Sequence, residues 1–94
     1  MKIFLSILAE AKIEDLLIFL ETNWNTKVKN DFLEKLNLKM TQVSQLPQSC
    51  QQSKQFPGLY KCVVTKQTSF YYRININKEE IEVVTFFDNR QIKR

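Results

Sequence analysis

The period of the apolar residues changes once along this 94-residue chain, from helical spacing to alternation, and the change falls across a stretch holding both of its prolines. Upstream of Pro47, Ala9, Ile13, Leu16, Leu17, Leu20 and Trp24 recur three and four apart, one face of a helix. A second stripe follows at Val28, Phe32, Leu33, Leu36, Met40, Val43 and Leu46, and Pro47 ends it. Ser6 is the expected N-cap of the first helix, with Glu10, Glu14 and Asp15 in early turns where the dipole favours acids. Asn23, Asn25 and Thr26 interrupt the pattern and supply a new cap. Two amphipathic helices joined by so short a turn predict an antiparallel helical hairpin. Residues 2–5, ahead of the first cap, are short and apolar enough for a strand.

From Gln48 to Phe56 the chain is polar and rich in Gln and Ser, the composition of a loop, and Pro57-Gly58 closes it. Beyond it the period is two. Leu59 to Thr65, Phe70 to Ile76 and Ile81 to Phe87 read as strands, with Asn77-Lys78-Glu79-Glu80 as the turn between the last two. In the middle strand Phe70, Tyr72, Ile74 and Ile76 share one face, and Tyr71, Arg73 and Asn75 share the other. The order β-α-α-β-β-β predicts one α+β domain over residues 1–94. It has two layers, an N-terminal strand and helical hairpin packed on an antiparallel sheet.

Composition removes whole classes of chemistry. The chain has no histidine, which excludes Ser-His-Asp and Cys-His nucleophiles and His-containing metal centres. Its single glycine, Gly58, excludes the Gly-rich loops that cradle nucleotides. No cofactor is expected. Cys50 and Cys62 are a weak disulfide signal in a Lys/Glu-rich domain and are expected to be reduced. The apolar start runs on at helical spacing through the one small-residue site that resembles a leader cut, Ala9-Glu10-Ala11. No stretch nears the ~20 apolar residues of a membrane span. A cytoplasmic protein without a membrane partner is therefore expected.

Charge is uneven along the chain. Residues 1–46 hold six basic and six acidic side chains, whereas residues 47–94 hold eight basic and four acidic, so the whole net charge of +4 belongs to the sheet half. The candidate site comes from there. Lys61, Lys66, Arg73 and Arg90 are interleaved with Tyr60, Tyr71 and Phe87, and Lys93 lies in a basic tail. Cations beside rings suit a nucleic acid, whose phosphates take the charge and whose bases stack. The plainer alternative is that these cations only solvate the sheet face that the helices leave open. Glu79, Glu80 and Glu82 do not form an acid/base pair, Trp24 is expected to plug the gap between the helices, and Tyr72 and Cys62 belong to the core.

The run Gly58 to Ile74, Gly-Leu-Tyr-Lys-Cys-Val-Val-Thr-Lys-Gln-Thr-Ser-Phe-Tyr-Tyr-Arg-Ile, followed by Ile81 to Gln91 with its Phe-Asp-Asn-Arg-Gln ending, resembles the C-terminal half of RelE/ParE toxins of bacterial type II toxin–antitoxin modules. The helical half, from Ala9 through Asp15-Leu16-Leu17 to Trp24 and on to Phe32-Leu33-Glu34-Lys35-Leu36, is similar to that family too. The resemblance implies a helical hairpin on an antiparallel sheet and a cognate antitoxin that wraps the toxin. It also implies growth inhibition, through DNA gyrase in the ParE branch or through ribosome-dependent mRNA cleavage in the RelE branch. In the cleaving case Lys61 and Arg73 would position phosphates and Arg90 would stabilise the transition state. Tyr60 and Ser69 stand where the family commonly has Arg, and residues 88–94 carry neither the His nor the Tyr usual in the cleaving branch. Those departures favour the ParE-like reading; a non-toxic binding module is the third.

Overall fold

The computed structural model describes residues 1–90. Strand β1 (Lys2–Leu5) leads into helix α1 (Ile7–Asn23) and helix α2 (Thr26–Gln45). Strands β2 (Gln51–Gln52), β3 (Tyr60–Val63), β4 (Thr68–Asn75) and β5 (Glu80–Asp88) follow. The expected two-layer α+β arrangement is present, and both helix starts follow from their caps. The Ser6 hydroxyl accepts from the Ala9 N–H at 2.9 Å, and the Asn25 side chain accepts from the Val28 N–H at 2.9 Å, each satisfying an otherwise orphaned donor. α2 stops where the Leu46 backbone leaves the helical region ahead of Pro47. No helix among the described residues is long and apolar enough to cross a membrane.

The sheet order is β1-β5-β4-β3-β2. β2 to β5 pair antiparallel as the alternation predicts, but β1 lies parallel to β5, so the sheet is mixed. The pairing sets Ile3 beside Ile81 and Leu5 beside Val83, which extends the apolar floor under the helices by one strand. Two residues of the segment expected to be loop, Gln51 and Gln52, pair with Lys61 and Tyr60 as a short edge strand.

The core lies between that floor and the hairpin. Ala9, Ile13, Leu16 and Leu20 of α1 and Phe32, Leu36 and Val43 of α2 meet Cys62, Phe70, Tyr72, Ile81, Val83 and Phe86. Three expected core members sit elsewhere: Ile76 is exposed in the β4–β5 turn, Leu46 is exposed just past α2, and Trp24 is half exposed, its ring edge-on to Phe19. Trp24 ends α1 rather than plugging the hairpin.

β5 contains a bulge. Tyr71 pairs with Thr85 and Tyr72 with Val83, leaving Val84 unpaired between them. The phase of β5 shifts by one at this point. Ile81 and Val83 face the helices before the bulge, and Phe86 and Asp88 face them after it. Ser6 uses the break: its hydroxyl donates to the Val84 carbonyl at 2.7 Å and its N–H to the Val83 carbonyl at 2.9 Å. One side chain thus starts α1 and fastens it to the central sheet. Ser6→Ala should cost about 1–2 kcal/mol, more than an ordinary cap, because the Val84 carbonyl loses its donor as well. Denaturant unfolding with an unchanged slope checks this; a loss under half a kcal/mol would show that the second bond contributes nothing.

Candidate functional site: the open sheet face and its flanking cleft

The open face is built from the outward residues of β3, β4 and β5. Lys61 sits directly across from Tyr71, and Arg73 directly across from Glu82. Lys61 and Arg73 therefore share one face as the alternation predicts. Arg73 is not free, however: its Nε and Nη2 both donate to Glu82 Oε1 at 2.9 Å. The Arg73 end of the pair is solvent-exposed, so the pair adds at most about 1 kcal/mol to stability, yet it cancels the local charge that a phosphate would seek. Phe87, Val63 and Phe4 are the apolar groups exposed around this face.

Tyr71 points the same way and is nevertheless only 4% exposed. The cause is the turn at Pro57-Gly58. Gly58 takes φ +88°, and the Leu59 N–H donates to the Phe56 carbonyl at 3.1 Å, a tight turn with Pro and Gly in the two positions that suit them. The turn swings Phe56 over the sheet, its ring edge-on to Tyr71 with centroids 5.1 Å apart. Tyr71 is thereby covered and offers no surface for a base to stack on.

The other expected site residues lie in different places. Tyr60 faces inward and stacks on Tyr72, centroids 5.2 Å apart and planes 11° from parallel. Lys66 is exposed in the turn between β3 and β4, off the face. Arg90 is on the helix side: its Nη2 bonds Asp88 Oδ2 at 2.7 Å, its Nε bonds Asp88 Oδ1 at 3.1 Å, and its guanidinium lies 5.6 Å from the Trp24 ring centroid. The bulge explains this, because the phase shift in β5 turns Asp88 inward and Arg90 folds back onto it. Lys93 lies outside the described residues. Of the expected set, the open face collects Lys61, Tyr71 and Arg73, with Phe87 at its margin, among the described residues.

Sequence reasoning missed a cleft beside that face. A hollow of about 630 Å³ is bounded by α2, the Gln-rich segment and β3, and Lys39, Lys54 and Lys61 line it together with Cys50, Cys62 and Tyr71. No carboxylate lines it, and none of the three lysines makes an ion pair among the described residues. Lys39 and Lys54 come together only because the segment after α2 doubles back along β3, so no local pattern joins them.

Two shifted titrations bear on the site. Burial pushes the Asp88 carboxyl upward, but hydrogen bonds from the Arg90 guanidinium and the Thr68 hydroxyl outweigh it and hold the group below its usual 3.8. Burial, then the neighbouring Cys50 thiol, pushes Cys62 up to about 12. Neither group is a general base on the open face. Asp88 is committed to Arg90 and Thr68, and Glu82, the carboxylate paired across from Arg73, is committed to that guanidinium. Among the described residues no three of His, Cys, Asp and Glu are grouped to hold a metal. What the region does present is a concentrated, unneutralised positive surface with apolar groups at its margin.

No family model matches the sequence, and no curated protein matches it. Solved structures do match the fold. A chain from the chromosomal ParDE TA system of P. aeruginosa superposes with a TM-score of 0.71 at 14% identity, covering 94% of this chain and 95% of that one. The chain has the fold of these toxin-module proteins. A YoeB/ParE toxin from Agrobacterium tumefaciens gives a TM-score of 0.67 at 16% identity, covering 94% of this chain and 98% of that one. The correspondence runs end to end in both, so the ParE-type fold here carries no large insertion or deletion.

Proposed function

We propose that this chain is the toxin of a type II toxin–antitoxin module of the RelE/ParE family, and that it acts by binding DNA gyrase without breaking bonds itself. The observation that carries the second part is the separation of the three cations that RNA cleavage would need together. Arg73 is tied to Glu82 on the open face, and Arg90 is tied to Asp88 and Trp24 on the helix side. Lys61 is left with neither arginine beside it to share the charge of a phosphorane, and cleavage through a 2′-hydroxyl also needs a proton acceptor. A binding toxin needs neither. The full-length likeness to ParDE and YoeB/ParE structures supports the family part.

The competing reading, mRNA cleavage on the ribosome, draws support from Lys61 and Arg73 sharing a face and from the lysine cleft beside it. The two separate cleanly. Purified protein should inhibit supercoiling by gyrase while ribosome-bound message stays intact; intact supercoiling together with cut message reverses the assignment. Growth arrest on expression, relieved by co-expressing the adjacent reading frame, tests the toxin reading itself.

The cognate antitoxin should bring an acidic segment to the cleft, because Lys39, Lys54 and Lys61 converge there with no carboxylate to neutralise them. The double variant Lys54→Glu/Lys61→Glu should weaken the complex about 100-fold, with the loss shrinking at high salt. An affinity that ignores both substitutions would remove the cleft from the interface.

A further inference from the structure

Cys50 and Cys62 are twelve positions apart in sequence and neighbours in the sheet. β2 and β3 pair Gln51 with Lys61 and Gln52 with Tyr60, so one step further along the ladder sets Cys50 opposite Cys62. The Ser53 N–H donates to the Leu59 carbonyl at 2.7 Å, which marks 53/59 as a hydrogen-bonded pair. Such pairs alternate with non-bonded ones, so 51/61 is bonded and 50/62 is not. In a non-hydrogen-bonded antiparallel pair the Cα atoms are about 4.5 Å apart with side chains adjacent. That separation falls inside the range a disulfide spans, about 4.4–6.8 Å. Both cysteines are free thiols, Cys50 partly exposed and Cys62 buried, and both line the lysine cleft.

We propose that this pair is a modification site: a small anionic disulfide such as glutathione disulfide oxidises it to an intramolecular Cys50–Cys62 bond that pins the segment after α2 to β3. The inference is independent of the functional reading above. Lys39, Lys54 and Lys61 draw the anionic reagent into the cleft, where it meets Cys50, because Cys62 is only 1% exposed. The Cys50 thiolate attacks one sulfur of the reagent, forming a mixed disulfide and releasing one glutathione. The Cys62 thiolate then attacks the Cys50 sulfur, closing the protein disulfide and releasing the second glutathione. Two electrons pass from the cysteines to the reagent, and the two thiol protons end on the two glutathione molecules. The second step is the slow one, because burial, the largest influence on Cys62, keeps its thiol protonated at neutral pH.

The test is incubation of the full chain with glutathione disulfide, followed by intact mass and non-reducing peptide mapping. The expected product is a monomer lighter by two hydrogens, carrying a linked Cys50–Cys62 peptide and reverting with dithiothreitol. Ring closure should accelerate about tenfold per pH unit between neutral and mildly alkaline pH, as the thiolate fraction of Cys62 rises. Cys62→Ser should stop at the mixed disulfide, and Cys50→Ser should hardly react. A wild-type chain that still keeps glutathione on Cys50 at mildly alkaline pH, forms covalent dimers or does not react would overturn the proposal. Since the wild type alone decides among these outcomes, a poorly folded variant leaves the test intact.

Discussion

Tyr72→Ala is expected to lose about 3–5 kcal/mol of folding stability, the range for emptying a fully buried aromatic site. Tyr72 is completely buried in the centre of β4, stacked on Tyr60 and tilted against Phe70. Its hydroxyl donates to the Pro47 carbonyl at 2.6 Å, so the same side chain ties the end of α2 to the sheet. Globular proteins hold roughly 0.05–0.15 kcal/mol per residue, so this one substitution removes about a fifth or more of what a chain this size possesses. Tyr72→Phe separates the two contributions. It keeps the ring and deprives a part-buried carbonyl of its donor, for a loss of about 1–2 kcal/mol. Denaturant titration of the three proteins measures both steps, and equal losses in the two variants would mean that the tether, not the packing, holds β4 against the helices.

Asp88→Asn should lower stability at neutral pH by about 2–3 kcal/mol and remove part of the acid sensitivity. Asp88 is buried, with side-chain exposure of 1%, and accepts from the Thr68 hydroxyl, the Arg90 N–H at 2.9 Å and the Arg90 guanidinium. Asn retains the shape but leaves Arg90 without its counter-charge. The direction with pH follows from the depressed carboxyl. A group held below its unfolded value, about 3.9, stabilises the fold fully above that value and loses the contribution as pH falls through the lower, folded one. Wild-type stability should therefore fall on acidification below about pH 4, and Asp88→Asn should show a shallower fall over the same range. Superimposable acid slopes for the two proteins would assign the acid sensitivity to other carboxylates.

Much of this molecule is legible from local pattern. Ser6 and Asn25 announce the helix starts, Pro47 the end of the second helix, and Pro57-Gly58 the turn that now proves to set Phe56 over Tyr71. Each is a local matter of capping or φ/ψ, so the few residues around it suffice. The placement of Lys61 and Arg73 on one face follows from alternation alone. Val83-Val84 and Phe86-Phe87 carry the one unread signal: two apolar doublets in a strand mark where alternation slips, and the bulge sits between Val83 and Thr85.

The candidate site was less legible because it depends on which element lies against which. Tyr60 looks like Tyr71 in sequence, two aromatic residues within two positions of a cation, yet register turns one to the core and the other to the open face. Arg90 reads as a companion of Arg73 in sequence, but the slip in β5 points Asp88 at the helices and draws Arg90 after it.

The switch of apolar period at the prolines determined by itself that two helices precede a set of strands, where each helix begins, and which half carries the charge. Those are consequences of hydrogen bonds and side-chain directions within a few residues. The tertiary structure decided that β1 runs parallel to β5, that the cations are divided between two sides of the sheet, and that Lys39, Lys54 and Lys61 share a cleft with two facing thiols. Each of these depends on contacts between residues far apart in the chain, whose pairing is set by how the whole apolar floor is covered and not by any local preference.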